Sequence, residues 1–273
     1  MTQGIGVVMG NELSNDDRPR GGEPSSAAVC LGPWRTLINA QPSLADLQRS
    51  SVLTLLTSSD LAPFARRVGM ADHVVEASSR HTLLQALRRA ENGFQHAVRI
   101  GAADELVDSL VKRLARTVAW IEEPRGDVQL TVPAQEYSVA RGAVVLDLGH
   151  SPDEESWSWA SWNRFIRSLP AGGPTRVLVG GPKRQELGRE LVRSSGNDVV
   201  DLTGLSDLGE LSSLIAVAEL LVSGDPGALR LAEVVGTPSA QADRGHSVDK
   251  VISQIAKRGG KSDPVSTGGP PRW

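Results

Sequence analysis

The sequence predicts an α/β protein made of two doubly wound halves, each a mostly parallel sheet covered by helices. Two observations carry this prediction. Short apolar runs of strand length alternate with amphipathic segments of helix length, as in repeated βα units. Residues 122–141, which contain two prolines and a glycine and show no helical stripe, interrupt the alternation and separate the halves. Two such halves predict a two-lobed architecture with a cleft.

The first half alternates predicted strands and helices up to about residue 121. The predicted strands are Ala27–Leu31, Val52–Leu56, Val74–Val75, Ala97–Ile100 and Val118–Ile121. The predicted helices are Leu37–Leu47 with Pro42 inside it, Leu61–Val68, Leu83–Ala90 and a segment whose apolar residues Leu106, Val107, Leu110, Val111 and Leu114 follow the helical period. This order indicates a complete βα-type half.

The second half repeats the pattern. Its predicted strands are Ala143–Leu148, Arg176–Val179, Val199–Leu202, Leu220–Ser223 and Ser239–Ala242. Its predicted helices are Trp162–Leu169, a segment through Leu187, Leu191 and Val192, Leu208–Ala218 and Leu229–Val235. We therefore expect domains at residues 26–125 and 142–257, a linker at 126–141, and poorly ordered ends at 1–25 and 258–273, where Gly, Pro and charged or Ser residues are frequent.

Composition excludes several classes of function. The 273 residues include 29 Lys and Arg against 32 Asp and Glu, which argues against a nucleic-acid footprint or a polybasic membrane anchor. No apolar run approaches the roughly 18 residues that a transmembrane segment needs. The single cysteine, Cys30, excludes an internal disulfide and a multi-thiolate zinc site, which favours a reducing, cytoplasmic compartment.

The loops that follow the strands of the second half carry the candidate site, because ligands of open parallel sheets bind beyond the carboxyl ends of the strands. These loops are Gly149-His150-Ser151, Gly180-Gly181-Pro182, Thr203-Gly204 and Gly224-Asp225-Pro226-Gly227. The last loop leads from a strand directly into a helix, an arrangement suited to binding a diphosphate. The alternative is that Asp225 only caps the helix.

For other side chains in this half, the sequence allows either a binding role or a purely structural one. His150 is a candidate contact for a phosphate or hydroxyl, although a lone loop histidine is more often a surface residue. Trp157, Trp159 and Trp162 could stack on a base or sugar, but we rather expect two to face the core and one the surface. The sequence lacks zinc-ligand spacing, a Walker A loop, a Gly-x-Ser-x-Gly elbow and a Gly-x-Gly-x-x-Gly after a strand, which argues against hydrolases, NTPases and dinucleotide dehydrogenases.

One long segment resembles a known family. Val199–Ser239, VVDLTGLSDLGELSSLIAVAELLVSGDPGALRLAEVVGTPS, is similar without a gap to the signature region of glycosyltransferase family 9, the heptosyltransferase-like enzymes of the two-lobed GT-B fold. Leu31–Leu44, Ser50–Glu76 and Arg176–Leu187 resemble further family segments in the expected order. The resemblance covers about residues 27–242.

The resemblance implies a GT-B-like fold whose N-terminal domain presents an acceptor and whose C-terminal domain binds a nucleotide-diphospho-sugar, commonly ADP-heptose. It implies transfer of a hexosyl or heptosyl group to an acceptor hydroxyl without a metal or cofactor. The acceptor is not indicated, nor is any protein partner. The expected donor-binding residues are Asp225, Gly227, Arg230, Gly180, Gly181, His150, Thr203 and Gly204.

Functional positions of the family pattern carry other residues here. Arg35-Thr36 replaces the Gly-Asp of the opening loop, whose Asp is the family's expected base. Arg230 and Pro226 replace the His and the Thr of Asp-Thr-Gly-x-x-His, and EESWSWASWNRF lacks the lysine of Lys-x-Trp-Pro. Arg230 can still neutralise a diphosphate through its planar guanidinium. A threonine cannot act as a base at neutral pH, so Thr36 leaves the catalytic residue unknown.

Two functions remain open. The first is sugar transfer to an unusual acceptor, with the base moved to Asp60, Asp104 or His150. The second is a catalytically inactive relative that acts as a binding or partner subunit. Other chemistry of this fold, such as sugar-nucleotide epimerisation, is a lesser alternative. The sequence does not place a carboxylate or imidazole relative to Asp225, so it does not decide between them.

Overall fold

The structure of the chain is a computed structural model that describes residues 24–77, 81–82, 85, 94–122, 128, 130–133, 140–150, 156–195 and 198–259. The chain divides into two compact units, Met1–Asp127 and Val128–Trp273. Each unit contains a five-stranded sheet in which every pair of neighbouring strands is parallel. The predicted fold class, α/β with two Rossmann-like parallel sheets, is confirmed.

The first unit winds outward from a central strand in both directions. Its strands are β1 (Ser25–Cys30), β2 (Val52–Ser58), β3 (His73–Ala77), β4 (Phe94–Ile100) and β5 (Ala115–Ile121). Its helices are α1 (Trp34–Ser50), α2 (Ala62–Arg67) and α3 (Glu105–Leu114). The strand order β3-β2-β1-β4-β5 places the topological switch point between β1 and β4. The predicted helix Leu83–Ala90 lies outside the described residues, apart from Gln85, which is helical.

Burial explains why these segments form strands and helices. Every residue of β1 is buried, as expected for a central strand with helices on both faces. In α3, Val107, Val111 and Leu114 pack into the core of this unit, as the helical stripe predicts. Trp34 at the start of α1 contacts Phe64 of α2 edge-on, with ring centroids 5.5 Å apart.

The second unit has the same winding. Its strands are β6 (Val144–Asp147), β7 (Arg176–Val179), β8 (Val199–Asp201), β9 (Leu220–Ser223) and β10 (Ser239–Gln241). Its helices are α4 (Trp159–Ser168), α5 (Gln185–Ser195), α6 (Leu208–Val217), α7 (Pro226–Val235) and α8 (Val248–Gly259), with a short 3-10 turn at Pro182–Arg184. The order β10-β9-β6-β7-β8 places the switch point between β6 and β9.

Helices cover both faces of this second sheet. Right-handed crossovers place α4 and α5 on one face and α6 and α7 on the other. The contacts agree, because α4 touches α5 and α8 whereas α6 touches α7. Trp157, just before α4, and Trp162, on α4, are buried with ring centroids 5.0 Å apart, while Trp159 is 42% exposed. The expectation of two inward tryptophans and one outward is therefore confirmed.

Several helices differ from the prediction, and α1 and α4 each begin three residues before the predicted Leu37 and Trp162. The sequence analysis predicts no helix after Ser239–Ala242, yet α8 packs on α4 and β10, and Val251 is fully buried there. Helix α7 begins at Pro226, as expected if Asp225 caps it, and so extends three residues before the predicted segment Leu229–Val235. Most of the ends predicted to be poorly ordered, and most of the linker at 126–141, lie outside the described residues. The prediction is wrong at their inner margins, because Ser25 is the buried first residue of β1 and α8 continues to Gly259. No helix in the described part of the chain is long and apolar enough to cross a membrane.

Candidate functional site

A buried carboxylate joins the two strands at the switch point of the second unit. Asp147 ends β6 and is 3% exposed. Its Oδ2 accepts a hydrogen bond from the hydroxyl of Ser223 at the end of β9, at 2.7 Å, and its Oδ1 accepts one from the Gly149 backbone N–H at 3.0 Å. Both hydrogen bonds are buried and join the ends of two strands, so Asp147 fixes the loops that leave β6 and β9.

The same network continues to the start of α7. The Ser223 hydroxyl accepts a hydrogen bond from the Asp225 backbone N–H at 2.9 Å, and Asp225 Oδ1 accepts one from the Gly227 N–H at 2.7 Å. Asp225 is thus the N-cap of α7, as the capping alternative predicts. Capping does not exclude ligand binding, because the helix dipole still places partial positive charge at this end. The result is a rigid helix N-terminus at a switch point.

Arg230 lies on α7, shortly after this N-terminus. Its Nη1 is 2.9 Å from Oε2 of Glu233, in an i,i+3 ion pair. The arginine side chain is 24% exposed and the glutamate side chain 69%. A surface pair of this kind contributes only about 0.2–1 kcal/mol, so a ligand phosphate can replace the glutamate at small cost.

Backbone contacts join the loops after β6, β7 and β8. The Gly181 N–H donates to the Gly149 carbonyl at 3.0 Å, and the Gly204 N–H donates to the Gly180 carbonyl at 2.8 Å. A Cβ atom on Gly181 would lie 2.6 Å from the His150 carbonyl oxygen, and one on Gly180 would lie 2.9 Å from the Gly149 carbonyl oxygen. The two glycines are therefore needed for the close approach of the loops. His150 itself is exposed at this edge of the sheet.

Thr203 closes the turn after β8. It is 4% exposed, and its hydroxyl and its backbone N–H both donate to Oδ1 of Asp201, at 2.5 and 2.9 Å. A Cβ atom on Gly188 of α5 would lie 2.5 Å from the Thr203 hydroxyl oxygen. Gly204, with φ +71°, completes the turn. The structure thus gives Thr203 and Gly204 a role in shaping the loop.

Thr36 lies at the switch point of the first unit. Its backbone N–H donates to the Pro33 carbonyl at 2.8 Å in the first turn of α1. A Cβ atom on Gly32 would lie 2.9 Å from Thr36 Cβ, and one on Gly101 would lie 3.5 Å from Thr36 Cγ2. Thr36 therefore packs against the loops that follow β1 and β4.

A cavity of about 220 Å³ opens at the same switch point. Its wall includes Gly32, on which Thr36 packs, and also Arg99 and Asp104. Asp104 Oδ1 accepts the Val107 N–H at 3.0 Å and so caps α3. Arg99 is 4% exposed, with Nε 2.6 Å from Oδ1 of Asp108. Of the two carboxylates considered as a base, Asp104 lies in this cavity.

The other candidate groups lie elsewhere. Asp60 is exposed in the turn after β2, and His150 belongs to the second unit. Cys30 is buried at the end of β1, and burial raises the pKa of its thiol to about 12, so the thiol is neutral and not a nucleophile. Among the residues that the structure describes, no group of three or more His, Cys, Asp and Glu is placed to hold a metal ion.

A larger cavity, of about 600 Å³, lies in the second unit and is absent from the sequence predictions. Its wall includes the cations Lys183, Arg184 and Arg244 and the imidazole of His246. The sequence could have pointed to these residues by their position shortly after β7 and β10, because ligands of parallel sheets bind beyond the carboxyl ends of the strands. Their convergence depends on the order of the strands, which the sequence does not display.

Comparisons with known proteins agree with this architecture. E. coli heptosyltransferase WaaC with ADP superposes with a TM-score of 0.68 at 15% identity, over 86% of this chain and 97% of that chain. E. coli ADP-heptose lps heptosyltransferase II superposes with a TM-score of 0.65 at 14% sequence identity, over 85% of this chain and 98% of that chain. A family 9 glycosyl transferase from Veillonella parvula superposes with a TM-score of 0.63 at 14% sequence identity, over 85% of this chain and 91% of that chain. At 14–15% sequence identity, this structural similarity shows a shared fold and no more.

Sequence comparison adds the family. Comparison with curated proteins gave no match. The family model of glycosyltransferase family 9 (heptosyltransferase) matches residues 52–240, which is more than half of the chain. That range includes the buried Asp147, the Asp225 cap and the start of α7. The chain therefore belongs to glycosyltransferase family 9, the heptosyltransferase family.

Proposed function

We propose that the protein transfers a hexosyl or heptosyl group from a nucleotide-diphospho-sugar, of the ADP-heptose type, to the hydroxyl of an acceptor, without a metal ion. Family membership supports transfer, and solved relatives of the same fold are heptosyltransferases, one of them with ADP. The observation that carries the proposal is the rigid N-terminus of α7, which Asp147, Ser223 and Asp225 hold at the switch point.

The diphosphate of the donor binds at this N-terminus in the proposal. A helix N-terminus attracts an anion through its backbone N–H groups and its dipole. Arg230 then exchanges Glu233 for a phosphate oxygen, and its planar guanidinium can form two parallel hydrogen bonds to the phosphate. The family's histidine at this position is thus replaced by a permanent cation.

In the proposed reaction, the bond between the anomeric carbon and the diphosphate oxygen breaks, and the electron pair stays on the diphosphate. The acceptor oxygen forms the new bond to the anomeric carbon, and its proton passes to a base. Arg230 and the N-terminus of α7 stabilise the charge that develops on the leaving diphosphate. This stabilisation grows as the bond breaks, so it accelerates the transfer rather than only strengthening donor binding.

We propose Asp104 as the group that takes the proton. It is the carboxylate in the cavity beside Gly32 and hence beside Thr36, which occupies the family's base position. Asp104→Asn is a clean test, because asparagine caps a helix about as well as aspartate and so preserves the start of α3. The variant is expected to lose transfer and keep donor binding, whereas Asp60→Asn, in the exposed turn after β2, keeps both. Equal activity of wild type and Asp104→Asn would remove Asp104 from the mechanism.

Donor binding is tested by calorimetric titration with ADP, UDP, GDP and their sugar conjugates. We expect ADP and an ADP-sugar to bind, and Arg230→Ala to weaken this binding by about 1–3 kcal/mol, the range for a charge-assisted hydrogen bond. Arg49→Ala is the control, because Arg49 also forms an i,i+3 ion pair on a helix, with Asp46 of α1, and lies in the first unit. Absence of binding to every nucleotide would contradict the proposal. Binding without any release of ADP from the donor would instead favour the inactive binding subunit.

A further inference from the structure

The cavity of about 220 Å³ at the switch point of the first unit has a largely apolar wall. Val29, Ile100 and Val107 line it and are buried, so its inner part reaches the core of this unit. Leu31, which is 40% exposed, and the exposed Ala102-Ala103 also line it and bring it to the surface. An apolar cavity of about 150 Å³ is large enough to hold benzene. This cavity therefore has room for one six-membered ring with a substituent.

Arg99 is a buried polar side chain in this wall, and it is held by groups of its own unit. Its Nη1 donates a hydrogen bond to the Gly101 carbonyl, and its Nε lies 2.6 Å from Oδ1 of Asp108. The centroid of the Trp120 ring lies 5.2 Å from the guanidinium carbon. The carboxylate of Asp108 balances the charge of Arg99, so the arginine is a fixed part of the wall.

Asp104 is the other polar side chain among the residues that the structure describes in this wall. Its Oδ1 accepts the Val107 N–H at 3.0 Å, and its carbonyl accepts the Asp108 N–H at 2.8 Å in the first turn of α3. A carboxylate has two oxygens with about four sites for accepting hydrogen bonds. Asp104 can therefore cap α3 and also accept a hydrogen bond from the hydroxyl of a ligand.

A wall of this composition discriminates between ring compounds by their number of hydroxyls. A sugar carries several hydroxyls, and each one that leaves water without gaining a partner weakens binding. A ring with a single hydroxyl avoids this loss, because its carbons lie against apolar side chains and its hydroxyl lies on Asp104. Apolar pockets with a few placed polar groups are typical of sites that orient a small ring compound.

We infer that the part of the acceptor that enters this cavity is a six-membered ring with one hydroxyl, of the phenol or cyclohexanol type. The inference rests on the proposed function, in which the proton of the acceptor passes to Asp104. The ring oxygen then bonds to the anomeric carbon, and the bond from that carbon to the diphosphate breaks with its electron pair on the diphosphate. Leu31, at the exposed side of the cavity, becomes a residue that determines acceptor specificity.

The test is binding of phenol, cyclohexanol and glucose to the full chain, followed by saturation-transfer NMR with and without saturating ADP. We expect phenol and cyclohexanol to bind at millimolar concentration or below, and glucose to bind at least about tenfold more weakly. Binding of these probes does not require transfer. Ring binding without any ADP binding would contradict the proposed function, whereas ADP binding without ring binding would overturn the inference alone.

A pair of leucine variants identifies the cavity as the place of binding. Leu31→Ala removes apolar surface from the wall and should weaken phenol binding by at least about threefold. Leu31 is partly exposed in a loop, so the change preserves folding. Leu205→Ala is the matched control, because Leu205 is 69% exposed, follows a strand of the second unit and should leave the affinity unchanged. Equal phenol affinities of the two variants, or glucose binding as tight as that of phenol, would overturn the inference.

Discussion

Substitution of Ser223 by alanine tests the network that holds the candidate donor site. The hydroxyl of Ser223 donates to Asp147 at 2.7 Å and accepts from the Asp225 backbone N–H at 2.9 Å. Its side chain is fully buried, so water does not easily replace either bond. Alanine fits the same space, and the change therefore removes two hydrogen bonds and little else.

The expected loss follows from the two bonds. A hydrogen bond to a carboxylate contributes about 1.5–3 kcal/mol, and a neutral one about 1 kcal/mol. Ser223→Ala should therefore lower the free energy of unfolding by about 2–4 kcal/mol, since the buried carboxylate of Asp147 loses a donor. Ser212→Ala is the matched control. Ser212 is also fully buried, but its hydroxyl makes a neutral bond to the Gly209 carbonyl at 2.6 Å within α6, and we expect a loss of about 1 kcal/mol or less.

Urea unfolding followed by tryptophan fluorescence compares the two variants with the wild type. Hydrogen exchange adds a local readout, because the Asp225 amide loses its acceptor in Ser223→Ala and should exchange faster. An equal loss in both serine variants, or an unchanged exchange rate at Asp225, would refute the idea that Asp147 and Ser223 hold the α7 loop.

Three further predictions concern single residues. Cys30 should resist alkylation by iodoacetamide at neutral pH and react only in denaturant, and fast alkylation of the native chain would contradict its burial. The pKa of its thiol is about 12 in the folded chain and near 8.5 in the unfolded chain. The free energy of unfolding should therefore fall as the pH rises between these two values, and should fall less in Cys30→Ala. Gly181→Ala should cost about 1–3 kcal/mol in urea unfolding, since its Cβ would lie 2.6 Å from the His150 carbonyl oxygen; a neutral effect would mean that the loops are not in contact. Asp207→Ala removes the capping box of α6 and should cost about 0.5–2 kcal/mol by thermal unfolding, and an unchanged melting temperature would count against the cap.

Local patterns predicted the elements of the fold well. Strands β7 and β9 begin and end as predicted, because each is a short apolar run bounded by polar residues or glycine. Helix α8 is absent from the prediction although Val248, Val251 and Ile255 follow the helical period. The Gly- and Pro-rich segment that follows directly obscured this short stripe.

The candidate site was only partly predictable. The family resemblance identified the loop at Asp225, and helix signals identified its cap. Strand order was needed to show that Asp147 and Ser223 meet, because they are distant in sequence and adjacent only when β6 pairs with β9. The cavity lined by Lys183 and Arg244 could not be predicted for the same reason, because these residues follow different strands and are distant in sequence.

The central claim is that a nucleoside diphosphate binds at the start of α7. Hydrogen exchange measured with and without saturating ADP tests it most directly, because it locates the contact as well as detecting it. The account predicts slower exchange in the segment 223–230 when ADP is bound, and loss of this protection in Arg230→Ala. Binding of ADP that leaves the exchange of this segment unchanged would contradict the account.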